Sequence, residues 1–137
     1  MVKKKSFKTI AAKNTSRFHI SEPPDYDDLK PIFSFHHMDY GGKCCLSRCN
    51  GISKASIAIT ILQLSQDKWS KILSTRRENH GKENIPVRQF KVQLPRIVTP
   101  DVKSLMVFRF SKSERMAGIR IKDVYHIIVV GADLYNH

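Results

Sequence analysis

Three runs near the C-terminus, LMVFRF (105–110), RMAGIRIK (115–122) and VYHIIVV (124–130), are short and rich in Val, Ile, Phe and Tyr. SKSE (111–114) separates the first pair and Lys122-Asp123 the second. Such residues suit a pleated, half-buried surface, so the stretch from Leu105 to His137 predicts a three-stranded antiparallel meander. Gly118 inside the middle run marks a bulge, a close approach of backbone, or a weak point in the strand. Upstream, IFSFHH (32–37) alternates with Phe33 and Phe35 on one face, the period of a half-buried strand. SKASIAITILQL from Ser53 fits both periods; its length and the lack of a turn signal favour helix. Ser65, Gln66 and Asp67 offer caps for a second helix running through Trp69 to Thr75. VRQFKVQL (87–94) alternates through Phe90, Val92 and Leu94, with Pro95 and Pro100 beyond it, and predicts a further strand. Together these elements imply an α+β fold, an antiparallel sheet with a helical pair packed on one face.

Charge and composition then divide the chain. Residues 1–17 carry six basic side chains and no acidic one, and residues 21–31 hold Pro23, Pro24 and Pro31 among Glu22, Asp25, Asp27 and Asp28. Prolines remove backbone donors and disfavour helix just before themselves. Residues 1–31 therefore read as a basic arm and linker, and 32–137 as one domain. No window has the run of apolar residues that a membrane span requires, and no apolar segment follows the initial lysines as a secretory signal would. The expectation is a cytoplasmic chain with no membrane partner. Lys and Arg number 24 against 12 Asp and Glu, a net charge of +12. An excess of that size attracts polyanions, of which nucleic acids are the commonest in a cytoplasm.

The meander also gathers the chemistry: Arg109, Arg115, Arg120, Lys122, His126, Tyr135 and His137. Alternation puts Gly118, Arg120 and Lys122 on one face of the middle strand and Ile119 and Ile121 on the other. If the isoleucine face meets the helices, Arg120 and Lys122 form an outward cationic patch. Arg115 has the parity of Ile119 but stands at the strand edge. Such a set suits metal-independent RNA cleavage. A base frees the ribose 2′-OH to attack its own phosphate, an acid protonates the leaving 5′-oxygen, and arginines hold the charge that develops. The competing reading is a row of solvated charges on a sheet face.

The run FRF-SKS-ERMAGIRI-KD-VYHIIVVGADLY resembles the C-terminal half of RelE/ParE-superfamily toxins. There, two antiparallel strands lead into an apolar last strand, then a Gly-containing turn and an "LY"-type ending. Here these are Glu114-Arg115-Met116, Gly118 to Ile121, Val124 to Val130, Gly131 and Leu134-Tyr135. The upstream order of strand and helical pair is also similar, whereas the N-terminal arm and residues 76–104 have no counterpart. The resemblance implies a RelE-like fold and the toxin of a toxin–antitoxin pair, an endoribonuclease acting on messenger RNA, ribosome-bound in many members, without a cofactor. It implies that Arg109 and Arg115 match the family's strand arginines, that Tyr135 and His137 sit where its terminal proton-transfer residues act, and that an acidic antitoxin is the partner. With the cationic patch, the expected site is Arg115, Tyr135 and His137 for catalysis and Arg109, Arg120 and Lys122 for phosphate binding. His126, Arg76, Arg77 and His80 are secondary candidates. The alternative is a non-catalytic basic module of phage or plasmid origin that binds nucleic acid or protein.

Other clusters are weaker. Cys44, Cys45 and Cys49 with His36 or His37 offer soft ligands, but not two spaced pairs, and adjacent histidines on a strand point apart. Reduced, partly buried cysteines are the simpler reading, and no metal is expected. Trp69 is read as a core anchor. Walker A, G-x-G-x-x-G, H-E-x-x-H and G-x-S-x-G patterns are absent.

Overall fold

The computed structural model describes residues 22, 24–75 and 81–136. The basic arm, Arg76, Arg77, His80 and His137 lie outside the described residues. Five strands form one sheet: β1 (Ile32–Ser34), β2 (Glu83–Pro86), β3 (Ser104–Arg109), β4 (Glu114–Ile121) and β5 (Val124–Ala132). Two helices, α1 (Gly51–Leu64) and α2 (Trp69–Ser74), lie between β1 and β2 in the chain. The strand order is β1-β5-β4-β3-β2. The fold is α+β, and the meander β3–β4–β5 is its centre, antiparallel throughout.

The sheet is nonetheless mixed, not wholly antiparallel. β1 pairs with β5 in parallel, Phe33 opposite Tyr125. Parallel neighbours need a long crossover, and the helical pair begins the excursion that supplies it. β1 also stops at Ser34, before the two histidines.

One face of the sheet meets the helices. Phe108, Phe110, Met116, Tyr125, Ile127 and Val130 pack there against Ile57, Leu64, Trp69 and Ile72. Asn50 caps α1 by accepting the Ser53 N–H at 2.8 Å, and the buried Ser53 hydroxyl donates to the Glu114 carboxylate at 2.8 Å. The helix start is thereby tied to the β3–β4 hairpin. The expected caps of α2 do not serve it: the Ser65 hydroxyl turns back to the Leu62 carbonyl at 2.8 Å, and Lys68 precedes α2 without a side-chain cap. Trp69 anchors α2 instead. It is fully buried, its N–H donates to the Leu29 carbonyl at 2.9 Å, and its indole N–H donates to the Asp123 carbonyl at 3.0 Å.

The segment 87–94 is not a strand. The ladder lies just upstream at Glu83–Pro86, on the sheet edge where Pro86 needs no donor. After a 3-10 turn at Val87–Gln89, Phe90, Val92 and Leu94 lie against the second face, with Ile97, Val98 and Val102. Their alternation records burial against the sheet, with Phe90 bridging only to Tyr135. Beneath them Leu105, Val107, Ala117, Ile128, Val129, Leu134 and Tyr135 complete a second core.

Gly118 unites two of its expected roles. The β4–β5 register passes from Ala117–Val129 to Gly118–Ile127, skipping Ile128. That bulge turns Ile128 and Val129 both to the second face and returns Val130 to the helix face. A Cβ on Gly118 would lie 2.1 Å from the His126 carbonyl oxygen and 3.0 Å from the Tyr125 ring. The Tyr125 ring fills the space above Gly118, and its hydroxyl donates to the Met106 carbonyl at 2.7 Å. Gly118 and Arg120 therefore belong to the helix face, and Ile119 to the second core. This reverses the orientation expected from the isoleucines.

Candidate nucleic-acid interface

The candidate residues fall into separate places. Arg109 and Arg115 are direct cross-strand partners at one end of β3 and β4. They lie on the second face and, with Val107, Glu83 and Gly81, line a small cleft. Glu83 enters from the edge strand, opposite Val107 in the β2–β3 register. Nη1 of Arg115 donates to the hairpin carbonyls of Glu114 at 3.0 Å and Ser111 at 3.3 Å. Those bonds fix the plane of the guanidinium, while its Nε and Nη2 make no hydrogen bond among the described residues. Two planar forks side by side, one held by backbone, match the oxygens of a phosphodiester. Sequence reasoning missed Glu83, because ENIP has neither the length nor the residue types of a strand.

Arg120 and Lys122 belong to the other end of β4. Arg120 lies five positions along the strand from Arg115, about 17 Å, and the odd spacing puts them on opposite faces. Arg120 is not an outward patch. Its guanidinium stacks on Trp69 at 4.4 Å, Nη2 meets the Asp27 carboxylate at 2.7 Å, and Nε donates to the Lys122 carbonyl at 2.7 Å. Asp27 comes from a 3-10 turn at Tyr26–Asp28, within the stretch read as linker. Lys122 is exposed at the tight β4–β5 turn with φ of 60°.

The proton-transfer candidates lie elsewhere again. Tyr135 is buried in the second core with its ring against Phe90, centroids 5.2 Å apart. His126 meets the His37 ring edge-on with centroids 4.9 Å apart, and His37 meets His36 edge-on at 4.8 Å. Burial first, then the two neighbouring imidazoles, holds His126 below the ordinary histidine range. Among the described residues no group of three or more His, Cys, Asp or Glu is arranged to hold a metal ion. None of their helices is long and apolar enough to cross a membrane. No family model matches the chain, and neither a curated protein nor a solved structure matches it.

Proposed function

We propose that the chain binds RNA, gripping the phosphate backbone at the end of the sheet where Arg109 and Arg115 stand side by side. The observation that carries this reading is the cross-strand arginine pair sharing a cleft with one carboxylate, in a chain of net charge +12. The arginines supply charge and bidentate donors, and the long-range positive field draws a polyanion in. Glu83 gives the cleft a reason to prefer RNA, since a carboxylate beside a bound phosphodiester can accept a hydrogen bond from a ribose 2′-OH.

The same carboxylate favours a second reading, metal-independent endoribonuclease activity. Glu83 would remove the 2′-OH proton, the oxygen would attack the adjacent phosphorus, and Arg109 and Arg115 would hold the charge of the pentacovalent state. The leaving 5′-oxygen would take its proton from solvent, because no imidazole or phenol of the described residues lines the cleft. In that case the chain acts as a toxin on messenger RNA, and its neutralising partner is an acidic protein covering this end of the sheet.

Both readings meet one experiment: incubation with end-labelled single-stranded RNA and with DNA of the same sequence. RNA should bind more tightly than DNA, and Arg109→Ala/Arg115→Ala should abolish most of the binding. Cleavage leaving 2′,3′-cyclic phosphate ends, lost in Glu83→Gln while binding persists, would establish the enzyme. Unchanged RNA binding by the double arginine variant would sink the proposal.

A further inference from the structure

A cavity of about 460 Å³, the size of a ligand pocket, opens on the second face of the sheet. Its floor is Ile128 and Val129, which the Gly118 bulge turns to this face together. The loop after β1 forms one wall with Asp39 and Lys43, and the segment after Val87–Gln89 forms the other with Lys91 and Gln93. Local sequence builds the first wall. Asp39-Tyr40-Gly41-Gly42 closes a tight turn, the Gly42 N–H donating to the Asp39 carbonyl at 3.1 Å. Gly41 supplies the φ of 80° that the third position of a type II turn demands. Arg48 donates to the Gly41 carbonyl at 3.2 Å, and the Val130 N–H donates to the Cys44 carbonyl at 3.0 Å, which ties the loop to β5. In the facing wall the Lys91 N–H donates to the Leu134 carbonyl at 2.9 Å, and its Nζ meets the Asp133 carboxylate at 2.7 Å. Bonds within the chain hold both walls, so the cavity is formed before a ligand enters.

The polar groups left over identify the ligand. Lys91 is taken up by Asp133, whereas among the described residues the Asp39 carboxylate, the Lys43 ammonium and the Gln93 amide form no hydrogen bond or ion pair. A carboxylate matches one base: only guanine presents two adjacent N–H donors, N1–H and N2–H, on its Watson–Crick edge. An amide N–H from the facing wall suits the O6 and N7 acceptors of its other edge. The aliphatic floor takes the face of the ring, and Lys43 at the exposed rim meets the phosphate. Position connects this cavity to the arginine pair. Val129 lies opposite Ala117, two residues from Arg115 on the neighbouring strand, so its backbone is about 8 Å from that of Arg115 on the same face. A neighbouring nucleotide of a single strand covers that distance.

We propose that the cavity is a guanine pocket, which takes an unstacked guanine of the RNA whose backbone Arg109 and Arg115 grip. The proposal rests on that reading for its polymer and on the Asp39 carboxylate for its base. The arginine end then supplies affinity without regard to sequence, and the cavity supplies the preference for one base.

The test is titration of the full chain with uridine octamers that carry one central guanosine, adenosine or inosine, alongside 5′-GMP and 5′-AMP alone. The guanosine octamer should bind at least about tenfold more tightly than the adenosine one, and GMP more tightly than AMP by a similar factor. Inosine, which lacks the 2-amino donor, should lose about threefold. Asp39→Asn puts a donor where an acceptor stood and should erase the guanine preference, with affinity for the all-uridine octamer unchanged. Arg109→Ala/Arg115→Ala should weaken the guanosine and adenosine octamers alike and leave GMP binding as it is. Equal affinity of the native chain for the guanosine and adenosine ligands would overturn the proposal, whether or not RNA binds. So would a guanine preference that survives Asp39→Asn. A guanine preference lost in Asp39→Asn, with RNA affinity unchanged in the double arginine variant, would uphold the pocket and remove the arginine grip instead.

Discussion

Arg115 and Arg120 sit on the same strand, five residues apart, and their surroundings assign them opposite tasks. Arg115 stands beside Arg109 on the second face, one nitrogen held by hairpin carbonyls and the rest of its fork turned to a cleft. Arg120 lies on the helix face, pressed on Trp69 and paired with Asp27. Its side chain is only 17% exposed, so its charge closes the fold where the N-terminal stretch crosses α2. The lesson is that an arginine's role on a strand follows from which face it occupies and what already satisfies its fork. Composition and alternation supply neither.

The widest break in this comparison comes from Gly118, which lies between the two arginines and sets the bulge beside them. Gly118→Ala drives a Cβ into the His126 carbonyl and should cost about 3 kcal/mol in chemical denaturation, at the upper end of overpacking losses. Arg120→Ala comes next in stability, since it removes a partly desolvated cation–π contact and an ion pair. About 1–2 kcal/mol should be lost, with RNA affinity unchanged. Arg115→Ala should behave in the reverse sense, with little change in denaturation midpoint and about a tenfold loss in RNA affinity, or about 1.4 kcal/mol. Asp27→Asn should have the smallest effect, under about 1 kcal/mol, because its carboxylate is half exposed.

Acid gives a further separation, because arginines do not titrate near neutrality whereas His126 does. Its folded-state pKa lies below the ordinary histidine value of about 6.5, so below about pH 6.5 the unfolded chain binds the proton more readily. Stability contributed by neutral His126 is therefore complete above that value and declines as pH falls toward the folded pKa. His126→Gln should flatten the decline between about pH 6.5 and 5 in thermal melts. A native chain whose stability is level across that window would contradict the burial of His126 beside His37 and His36.

The meander was legible because its three runs are unbroken blocks of β-branched and aromatic residues, and because short polar links leave only antiparallel neighbours. The helix-forming stretch was legible by length. The face assignment was not, since isoleucine at 119 and 121 looks like the buried side. Both faces are packed, and the one that meets the helices carries Gly118, whose missing side chain makes room for Tyr125, and Arg120, whose guanidinium lies over Trp69. Segment 87–94 misled in a related way, its alternation arising from burial against a sheet instead of membership in one. In the candidate site, Arg109 and Arg115 could be named from the sequence. Glu83 could not, because only the pairing of a four-residue edge strand brings it to them.

The most direct measurement is the salt dependence of RNA affinity for the native chain, Arg109→Ala/Arg115→Ala and Arg120→Ala. On single strands each arginine–phosphate contact contributes about 0.7 to the slope of log affinity against log salt. The double variant should therefore lose about 1.4 from that slope, twice the single contribution, while Arg120→Ala keeps the native value. An unchanged slope in the double variant, or a reduced one in Arg120→Ala, would contradict the assignment of the phosphate site to the Arg109–Arg115 end of the sheet.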